Sequence, residues 1–357
     1  MEMHDIVSAL YSGPQSAVLA TIIDVEGHAY RKRGAVMALW ADGSVLGHLS
    51  PGCLETDLME HAQALLEDGT GPRIMDYDMR SAEDLAWGEA AGCGGTLRIL
   101  AEPVAGELKR CLAELKRRLD GGEDVRFERL LRGEGSGLEA AYRLLPADAA
   151  GTGSAYLSAS WPREEEQNAG RLSRVLSYVY KAKRRVVIFG AGPDAVPVAN
   201  GALKAGFRVT AADWRQAICA SGAFDPAVER MVGFPAELVP KLQLNKQDYV
   251  IIMSHQLQRD QQFLDLIWPQ PLAYLGILGS RFRTRQLLDG RRPLEWLHAP
   301  IGLDIGAEGA EEIAVSIVAE LIYTRRRAEA GWRKGADATG DSSDLFGRRE
   351  ELPHGGV

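Results

Sequence analysis

The chain has 357 residues, 46% of them hydrophobic and 25% charged, with a formal net charge of −8 at pH 7. This length is enough for about two domains of roughly 150 residues. The acidic balance excludes nucleic acid as the main partner, because binding a polyanion requires a concentrated basic surface. The first residues, MEMHDIVSAL, lack the apolar run of a signal peptide. No apolar run reaches the roughly 18 residues that span a bilayer, so we expect a cytoplasmic protein.

Four cysteines, Cys53, Cys93, Cys111 and Cys219, are spread along the chain without any CxxC pair. This spacing argues against a disulfide framework and against a zinc knuckle. It is typical of a protein in a reducing compartment, where a functional cysteine would act as a lone thiolate.

The first part of the chain mixes short strands and helices. We predict a smaller N-terminal α/β domain over residues 1–150, followed by a Gly-, Ala- and charge-rich junction over 151–183. The predicted elements are a strand over SAVLATIIDVEG, a hairpin over GAVMALWADGSVLGHL with Asp42-Gly43 at its turn, a helix from Cys53 to Leu66, a strand over TLRILAEPV and an amphipathic helix over ELKRCLAELKRRL.

From Arg185 the hydrophobic pattern becomes regular. The runs RVVIF, FRVTAAD, YVIIM and LAYLGILG are typical of buried parallel strands, and helical patterns lie between most of them. This alternation predicts a Rossmann-like parallel sheet domain over residues 184–328. Its last helix is predicted from Ala310 to Arg327, and the polar, Gly-rich segment 329–357 is predicted to be disordered.

A glycine-rich loop follows the first of these strands. Gly190 and Gly192, with a small residue at Ala195, match the dinucleotide-binding fingerprint GxGxxG/A. Asp213 ends the next strand, where an acidic residue commonly binds ribose hydroxyls. The pattern predicts a phosphate-bearing ligand, with NAD(P) as one candidate. Alternatively, the glycines serve only to tighten the turn between strand and helix.

Polar residues also follow the later strands of the predicted sheet, where such folds bind their ligands. His255 follows YVIIM, Ser280 and Arg281 follow LAYLGIL and open a helix, and Asp304 precedes the last helix. A helix N-terminus with a guanidinium is suited to an anion. The alternative for His255 is a purely structural role.

Two cysteines of the first domain lie in turns. Cys53 begins a predicted helix, where the helix dipole lowers the pKa of a thiol, although Glu55 opposes this. Cys93 stands among glycines that allow close approach by a ligand. Arg31 belongs to a basic cluster that could hold a phosphate. The alternative for Cys53 is a buried thiol at a helix cap, and the alternative for Cys93 is a plain bend. The alternative for Arg31 is a solvated turn.

Taken in order, these segments resemble the XdhC/CoxI family, the xanthine dehydrogenase accessory proteins. The first-domain resemblance runs through AVLATIIDVEGHAYRKRGAVMALWADGSVLGHLSPGCLETDL and the GCGG turn. In the second domain it runs through VVIFGAGPDAVPVANGALKAGFRVTAAD, IIMSHQLQRD and LGILGSRFRTRQLL. It ends with LHAPIGLDIGAEGAEEIAVSIVAELI, so most of the chain is covered.

The resemblance implies a chaperone that binds the molybdenum cofactor, supports its sulfuration by a cysteine desulfurase and delivers it to a xanthine dehydrogenase-type molybdenum hydroxylase. It further implies that Cys53 and Cys93 face the molybdenum or its sulfur, with Arg31, Ser280 and Arg281 as anion contacts. The cysteine turn of the family pattern reads Ser-Gly-Gly-Cys, whereas this chain has Pro51 in place of the first Gly. Before Arg31 the family pattern has a small residue and a Pro, whereas this chain has Ala29-Tyr30.

We therefore expect a maturation factor without catalytic residues, forming a homodimer as many soluble proteins do. One alternative is an NAD(P)-dependent oxidoreductase that uses the Gly190 loop, Asp213 and His255 as acid/base. Another is a redox or ligand sensor with Cys53 as its switch.

Overall fold

A computed structural model describes residues 3–12, 16–52, 54–79, 95–133, 135–147, 156–157, 173–220, 222–268, 270–292 and 294–331. The chain divides into two compact units, Met1–Lys183 and Arg184–Val357. Cys53 and Cys93, and the segment 332–357 of the predicted tail, lie outside the described residues.

The first unit contains an antiparallel sheet. Its central strand β1, Ala17–Glu26, is an apolar run whose first seven residues are buried. The predicted hairpin is confirmed: β2 pairs with β3, and Asp42 Oδ1 accepts a hydrogen bond from the Ser44 backbone N–H at 2.9 Å. Among the described residues the strands lie in the order β3-β2-β1-β5-β4, with β2 at Val36–Trp40, β3 at Val45–Gly47, β4 at Arg73–Asp78 and β5 at Thr96–Pro103.

A second antiparallel sheet in this unit corrects the predicted junction. Ser173–Tyr180, which falls inside 151–183, pairs along its whole length with Val125–Arg132. Leu176 and Tyr180 of this strand are buried, and the N-terminal unit extends to Lys183. The described strands of this sheet lie in the order β8-β7-β6-β9, with β6 at Val125–Arg132, β7 at Glu139–Pro146, β8 at Tyr156–Leu157 and β9 at Ser173–Tyr180.

Three helices of the first unit cover these sheets in the described part of the chain. They are α1 at Met3–Ser12, α2 at Glu55–Asp68 and α3 at Gly106–Asp120. Helix α3 confirms the predicted amphipathic helix, since its leucine stripe is buried in a core shared with α1, β6 and β7. Helix α2 starts at Glu55 rather than at Cys53, because Leu54 occupies the N-cap position.

The second unit confirms the predicted Rossmann-type domain. Its described strands are all parallel and lie in the order β12-β11-β10-β13-β14-β15. This is the dinucleotide-fold order 3-2-1-4-5-6, whose topological switch point lies between the first and fourth strands. The strands are β10 at Arg185–Phe189, β11 at Arg208–Asp213, β12 at Glu229–Val232, β13 at Tyr249–Ile252, β14 at Tyr274–Ile277 and β15 at Leu297–His298.

Helices pack on both faces of this sheet, so β10 is buried between two apolar clusters. The described helices are α4 at Ala195–Lys204, α5 at Gln216–Cys219, α6 at Pro235–Leu242, α7 at Leu257–Ile267, α8 at Arg281–Leu288 and α9 at Gly309–Gly331. In the part of the chain that the structure describes, no helix combines the length and the apolar character needed to cross a membrane.

Candidate functional site

The predicted site residues of the second unit follow the carboxyl ends of its parallel strands. Gly190 follows β10, Asp213 ends β11, His255 follows β13, and Ser280 opens α8 after β14. Asp304 follows β15. Because parallel strands end at one edge of a sheet, all of these residues are gathered at the edge where such folds bind ligands.

The two glycines of the fingerprint loop differ in what they do. Gly190 has φ +105°, and a Cβ there would come within 2.6 Å of the Met253 carbonyl carbon and closer still to the Ser254 backbone. Packing against the neighbouring strand therefore requires glycine at this position. A Cβ on Gly192 would meet only the Asp194 Oδ1 atom, at 3.0 Å. Gly192 is thus the glycine that packing alone does not explain.

Asp213 is fully buried and is bonded within the protein. Its carboxylate accepts hydrogen bonds from the Ala191 N–H at 2.8 Å, the Arg215 N–H at 2.8 Å and the Arg215 guanidinium at 2.8 and 3.0 Å. Burial acts to raise the pKa of Asp213, but the bonds from Arg215 and Ala191 outweigh it and lower that pKa. The side chain that is predicted to bind ribose joins the glycine loop to Arg215 in this structure.

His255 lies against the N-terminus of α4. Its Nε2 is 2.5 Å from Oδ2 of Asp194, the N-cap residue of that helix. His255 has φ +60° and its side chain is 63% exposed. The residue at the start of α4 is therefore a carboxylate that contacts His255 and makes no capping hydrogen bond to the helix.

A buried network connects this loop to helix α8. Asp260 on α7 accepts a hydrogen bond from the Ser254 hydroxyl and is 2.5 Å from the Arg283 guanidinium. Burial raises the pKa of Asp260 in spite of these bonds. Arg283 is thereby held on the side of α8 that faces α7, and Gly279 leaves room for its side chain, since a Cβ there would lie 2.6 Å from Arg283 Cδ.

A cavity of about 1010 Å³ lies beyond α8, bounded by residues 299–307 and by α9. Arg281, Thr284 and Arg285 line it from one face of α8, as spacings of three and four residues require. Neither Arg281 nor Arg285 has a side-chain partner among the residues that the structure describes. Thr284 is 6% exposed, and its Oγ1 has no hydrogen-bond partner there either. Asp304 also lines this cavity.

Glu320 on α9 holds the segment that forms one wall of the cavity. Its carboxylate accepts hydrogen bonds from the Tyr274 hydroxyl at 2.6 Å and from the Gly302 N–H at 2.8 Å, and it lies 2.9 Å from His298 Nδ1. Burial acts to raise the pKa of Glu320, but these three contacts outweigh it and lower that pKa.

We expect Glu320→Gln to destabilise the protein by about 2 kcal/mol at pH 7, because buried donors lose their charged acceptor. A carboxylate with a lowered folded-state pKa stabilises the fold above its unfolded pKa, near 4.3, and this contribution is lost as pH falls. The difference in melting temperature between wild type and variant should therefore stay large above about pH 5 and shrink as pH falls through the folded-state pKa of Glu320, which lies below about 4.3. Circular dichroism would measure it, with exposed Glu311→Gln as the control; an unchanged difference would contradict the assignment.

In the first unit, Glu55 organises the turn that precedes α2. Its carboxylate accepts from the Ser50 hydroxyl at 2.5 Å and from the Ser50 N–H at 3.0 Å, while Ser50 Oγ accepts from the Gly52 and Leu54 N–H groups at 3.2 and 3.1 Å. These bonds fix the backbone on both sides of position 53. Cys53 itself lies outside the described residues, as does Cys93.

Tyr30, the residue before Arg31, lies close to the residues that precede this turn. The ring of Tyr30 is 5.6 Å from that of His48, centroid to centroid, and His48 comes just before Leu49 and Ser50. The structure therefore places the residue before Arg31 beside the start of the turn. Arg31 has no side-chain partner among the described residues.

The structure thus separates the predicted residues of the second unit into two groups. Gly190, Gly192, Asp213 and His255 surround the start of α4, whereas Ser280, Arg281 and Asp304 surround the start of α8 and its cavity. Sequence reasoning missed Thr284, Arg285, Asp194 and Arg215. For Arg285 a signal was present, because RFRTR at a helix start places its first and last arginines on one face.

Parallel strands in dinucleotide-fold order, with polar residues at their carboxyl ends, define a protein with a Rossmann-type ligand-binding domain. The chain belongs to the XdhC and CoxI family: the family model of that name matches residues 11–78, and the XdhC Rossmann domain model matches residues 186–321. The family resemblance found in the sequence is therefore confirmed.

Relatives extend over nearly the whole chain. It is 37% identical over 336 residues to a probable xanthine dehydrogenase subunit of Bacillus subtilis, covering 91% of this chain and 98% of that one. It is 25% identical over 338 residues to the molybdenum cofactor insertion chaperone PaoD of Escherichia coli, covering 90% and 87%. A crystal structure described as a xanthine dehydrogenase from Bacillus halodurans superposes with a TM-score of 0.79 at 37% identity, covering 92% and 96%.

Proposed function

We propose that this protein binds the molybdenum cofactor, holds it during sulfuration and inserts it into a molybdenum hydroxylase of the xanthine dehydrogenase type. The observation that carries the proposal is the similarity to a molybdenum cofactor insertion chaperone over 90% of the chain, both domains included. Membership of the XdhC and CoxI family supports it.

The cargo is a pterin with a phosphate group and a molybdenum coordinated by sulfur. Unpaired arginines and a buried hydroxyl without a partner among the described residues of the α8 cavity fit an anionic group of that kind. Soft thiolates suit molybdenum and its sulfur ligands, so we assign that role to Cys53 and Cys93. Glu55, two residues after Cys53, would act by holding the backbone of the turn through its bonds to Ser50.

The protein's own role in this function is to bind, orient and shield. We assign it no catalytic residue, since the sulfur is supplied by a cysteine desulfurase as the partner enzyme. The hydroxylase that receives the cofactor is the second partner. We further propose that the protein acts in the cytoplasm as a homodimer, the commonest assembly of soluble proteins.

NAD(P) at the Gly190 loop is less well supported by the local contacts. Asp213 already binds Arg215, so ribose hydroxyls would have to displace that guanidinium. In addition, Asp194 places a negative charge at the α4 N-terminus, where a pyrophosphate would have to lie. These contacts favour the maturation function over an NAD(P)-dependent oxidoreductase.

The proposed function predicts that purified wild type retains near-stoichiometric molybdenum and pterin through gel filtration. Cys53→Ala and Cys93→Ala should each retain several-fold less, because they remove the proposed soft ligands. Retained metal would be measured by mass spectrometry and pterin by fluorescence.

Cys219→Ala is the matched control, since it removes a buried thiol whose pKa is raised by burial and which lies in the other unit. It should retain the cofactor like wild type. Failure of folded wild type to retain any cofactor would overturn the proposed function.

A further inference from the structure

We infer that the α8 cavity is the binding site for the phosphorylated pterin moiety, with Arg281, Arg285 and Thr284 holding the phosphate and Asp304 holding the pterin ring. The identity of the ligand rests on the proposed function, whereas the assignment of the cavity rests on the local geometry. Four observations carry it.

The first observation is the position of the arginines. Arg281 is the first residue of α8 and Arg285 follows one turn later, so both cations lie on one face. Arg281, at the helix N-terminus, opposes the helix dipole, whereas Arg285 lies in the last turn, and like charges four residues apart repel each other. Both side chains are exposed and have no carboxylate partner among the described residues, so both are available to bind one anion in the cavity.

The second observation is the hydroxyl of Thr284. It lies between the two arginines in sequence, lines the cavity and is buried without a partner in the described structure. Leaving a buried hydroxyl unsatisfied has an energetic cost. Threonine has two common χ1 rotamers in a helix, and the rotamer that turns Oγ1 towards the cavity would allow a phosphate oxygen to supply the missing partner. Arg283, the third arginine of the helix, is held elsewhere by Asp260 and does not contribute.

The third observation separates this site from the fingerprint loop. The N-terminus of α4 carries the carboxylate of Asp194, which is bonded to His255 and makes no capping hydrogen bond to the helix. The first residue of α8 is Arg281 instead, and Ser280 Oγ accepts a hydrogen bond from the Arg283 N–H. An anion would face a carboxylate at the start of α4 and a guanidinium at the start of α8, so of these two helix starts α8 is electrostatically better suited to a phosphate.

The fourth observation is the size and lining of the cavity. Its volume of about 1010 Å³ greatly exceeds that of a phosphate and suits a ligand with a ring system. Leu278, Ile301 and Ile313 supply apolar walls, and Asp304 supplies a carboxylate away from α8 in sequence. A carboxylate only accepts hydrogen bonds, which matches the adjacent N–H donors of the 2-amino-4-oxo edge of a pterin.

The test uses neopterin monophosphate, a fluorescent pterin phosphate without metal or dithiolene, and inorganic phosphate as probes of the full-length protein. Arg281→Gln and Arg285→Gln should each weaken pterin phosphate binding about tenfold or more, since each removes a charge-assisted bond. Thr284→Val should weaken it several-fold. Asp304→Asn should weaken the binding of neopterin monophosphate but leave the affinity for inorganic phosphate unchanged. This difference separates the contact to the ring from the contact to the phosphate.

Arg292→Gln is the matched control, because Arg292 is exposed, lies in the same unit and does not line the cavity. It should bind like wild type. Arg281→Gln and Thr284→Val should melt at the wild-type temperature or above it, since they remove a charge opposing the dipole and an unsatisfied hydroxyl. A folding defect therefore does not explain their weaker binding.

Two results would overturn the inference: no binding of either probe by wild type, or pterin phosphate binding that none of the three α8 variants weakens. Equal affinity for both probes would overturn the assignment of Asp304 to the ring. Because the probe contains no metal, its binding is independent of Cys53 and Cys93. If cofactor retention fails while this cavity binds the probe, the proposed function is wrong and the cavity assignment stands.

Discussion

Gly190→Ala should destabilise the second unit by about 4 kcal/mol, which is a large fraction of the stability of an ordinary domain. Two costs combine. At φ +105° an L side chain is strained by about 1–2 kcal/mol. The added Cβ would also overlap the backbone of Met253 and Ser254, and overpacking against atoms that cannot rotate away costs roughly 1–3 kcal/mol more. Urea unfolding followed by circular dichroism would measure the loss.

Gly192→Ala is the control for Gly190→Ala. Its Cβ would meet only the Asp194 carboxylate oxygen, which a side-chain rotation can move, so we expect a loss below about 1 kcal/mol. The two variants show whether each glycine of the fingerprint is required by packing within the protein, as we expect at position 190, or not, as we expect at position 192. If both variants were equally stable, the close approach to β13 would not be what requires glycine at position 190.

Most of the second unit could be predicted because its strands are short, continuous apolar runs separated by helical patterns. Every apolar residue of RVVIF and YVIIM lies in one of the two clusters that cover the faces of the sheet, so local hydrophobicity alone predicts these strands. The end of each run then places Gly190, His255 and Ser280 at the same edge of the sheet. What could not be predicted is how these residues are paired, because the bonds of Asp213 with Arg215 and of His255 with Asp194 depend on three-dimensional contacts.

The first unit was harder to predict, because its second sheet does not look apolar. The sequence VRFERLLR of β6 carries charges at half of its positions, yet most of the strand is buried. Arg129 of this strand donates a hydrogen bond to Glu102, which lies 27 positions away on β5. A local sequence pattern does not predict such a pairing.

The buried pair of Arg129 and Glu102 leads to the second large prediction. Both side chains are 0% exposed, and Arg129 Nε lies 2.7 Å from Glu102 Oε2. The guanidinium also lies 4.1 Å from the centroid of the Phe127 ring. Burial raises the pKa of Glu102, so its charge depends on the cation beside it. We expect Arg129→Met to destabilise the protein by about 3–5 kcal/mol, because it leaves a carboxyl group buried without its partner.

A double variant distinguishes two causes of this loss of stability: the buried carboxyl group left without its cation, or the loss of the arginine's other contacts. Replacing both residues, Glu102→Leu with Arg129→Met, removes the desolvated charges together and leaves apolar side chains of similar size. The double variant should therefore be more stable than Arg129→Met alone, and thermal unfolding of the two proteins compares them directly. A double variant that is less stable than the single one would mean that the guanidinium stabilises the sheet through Phe127 and Thr21 rather than through Glu102.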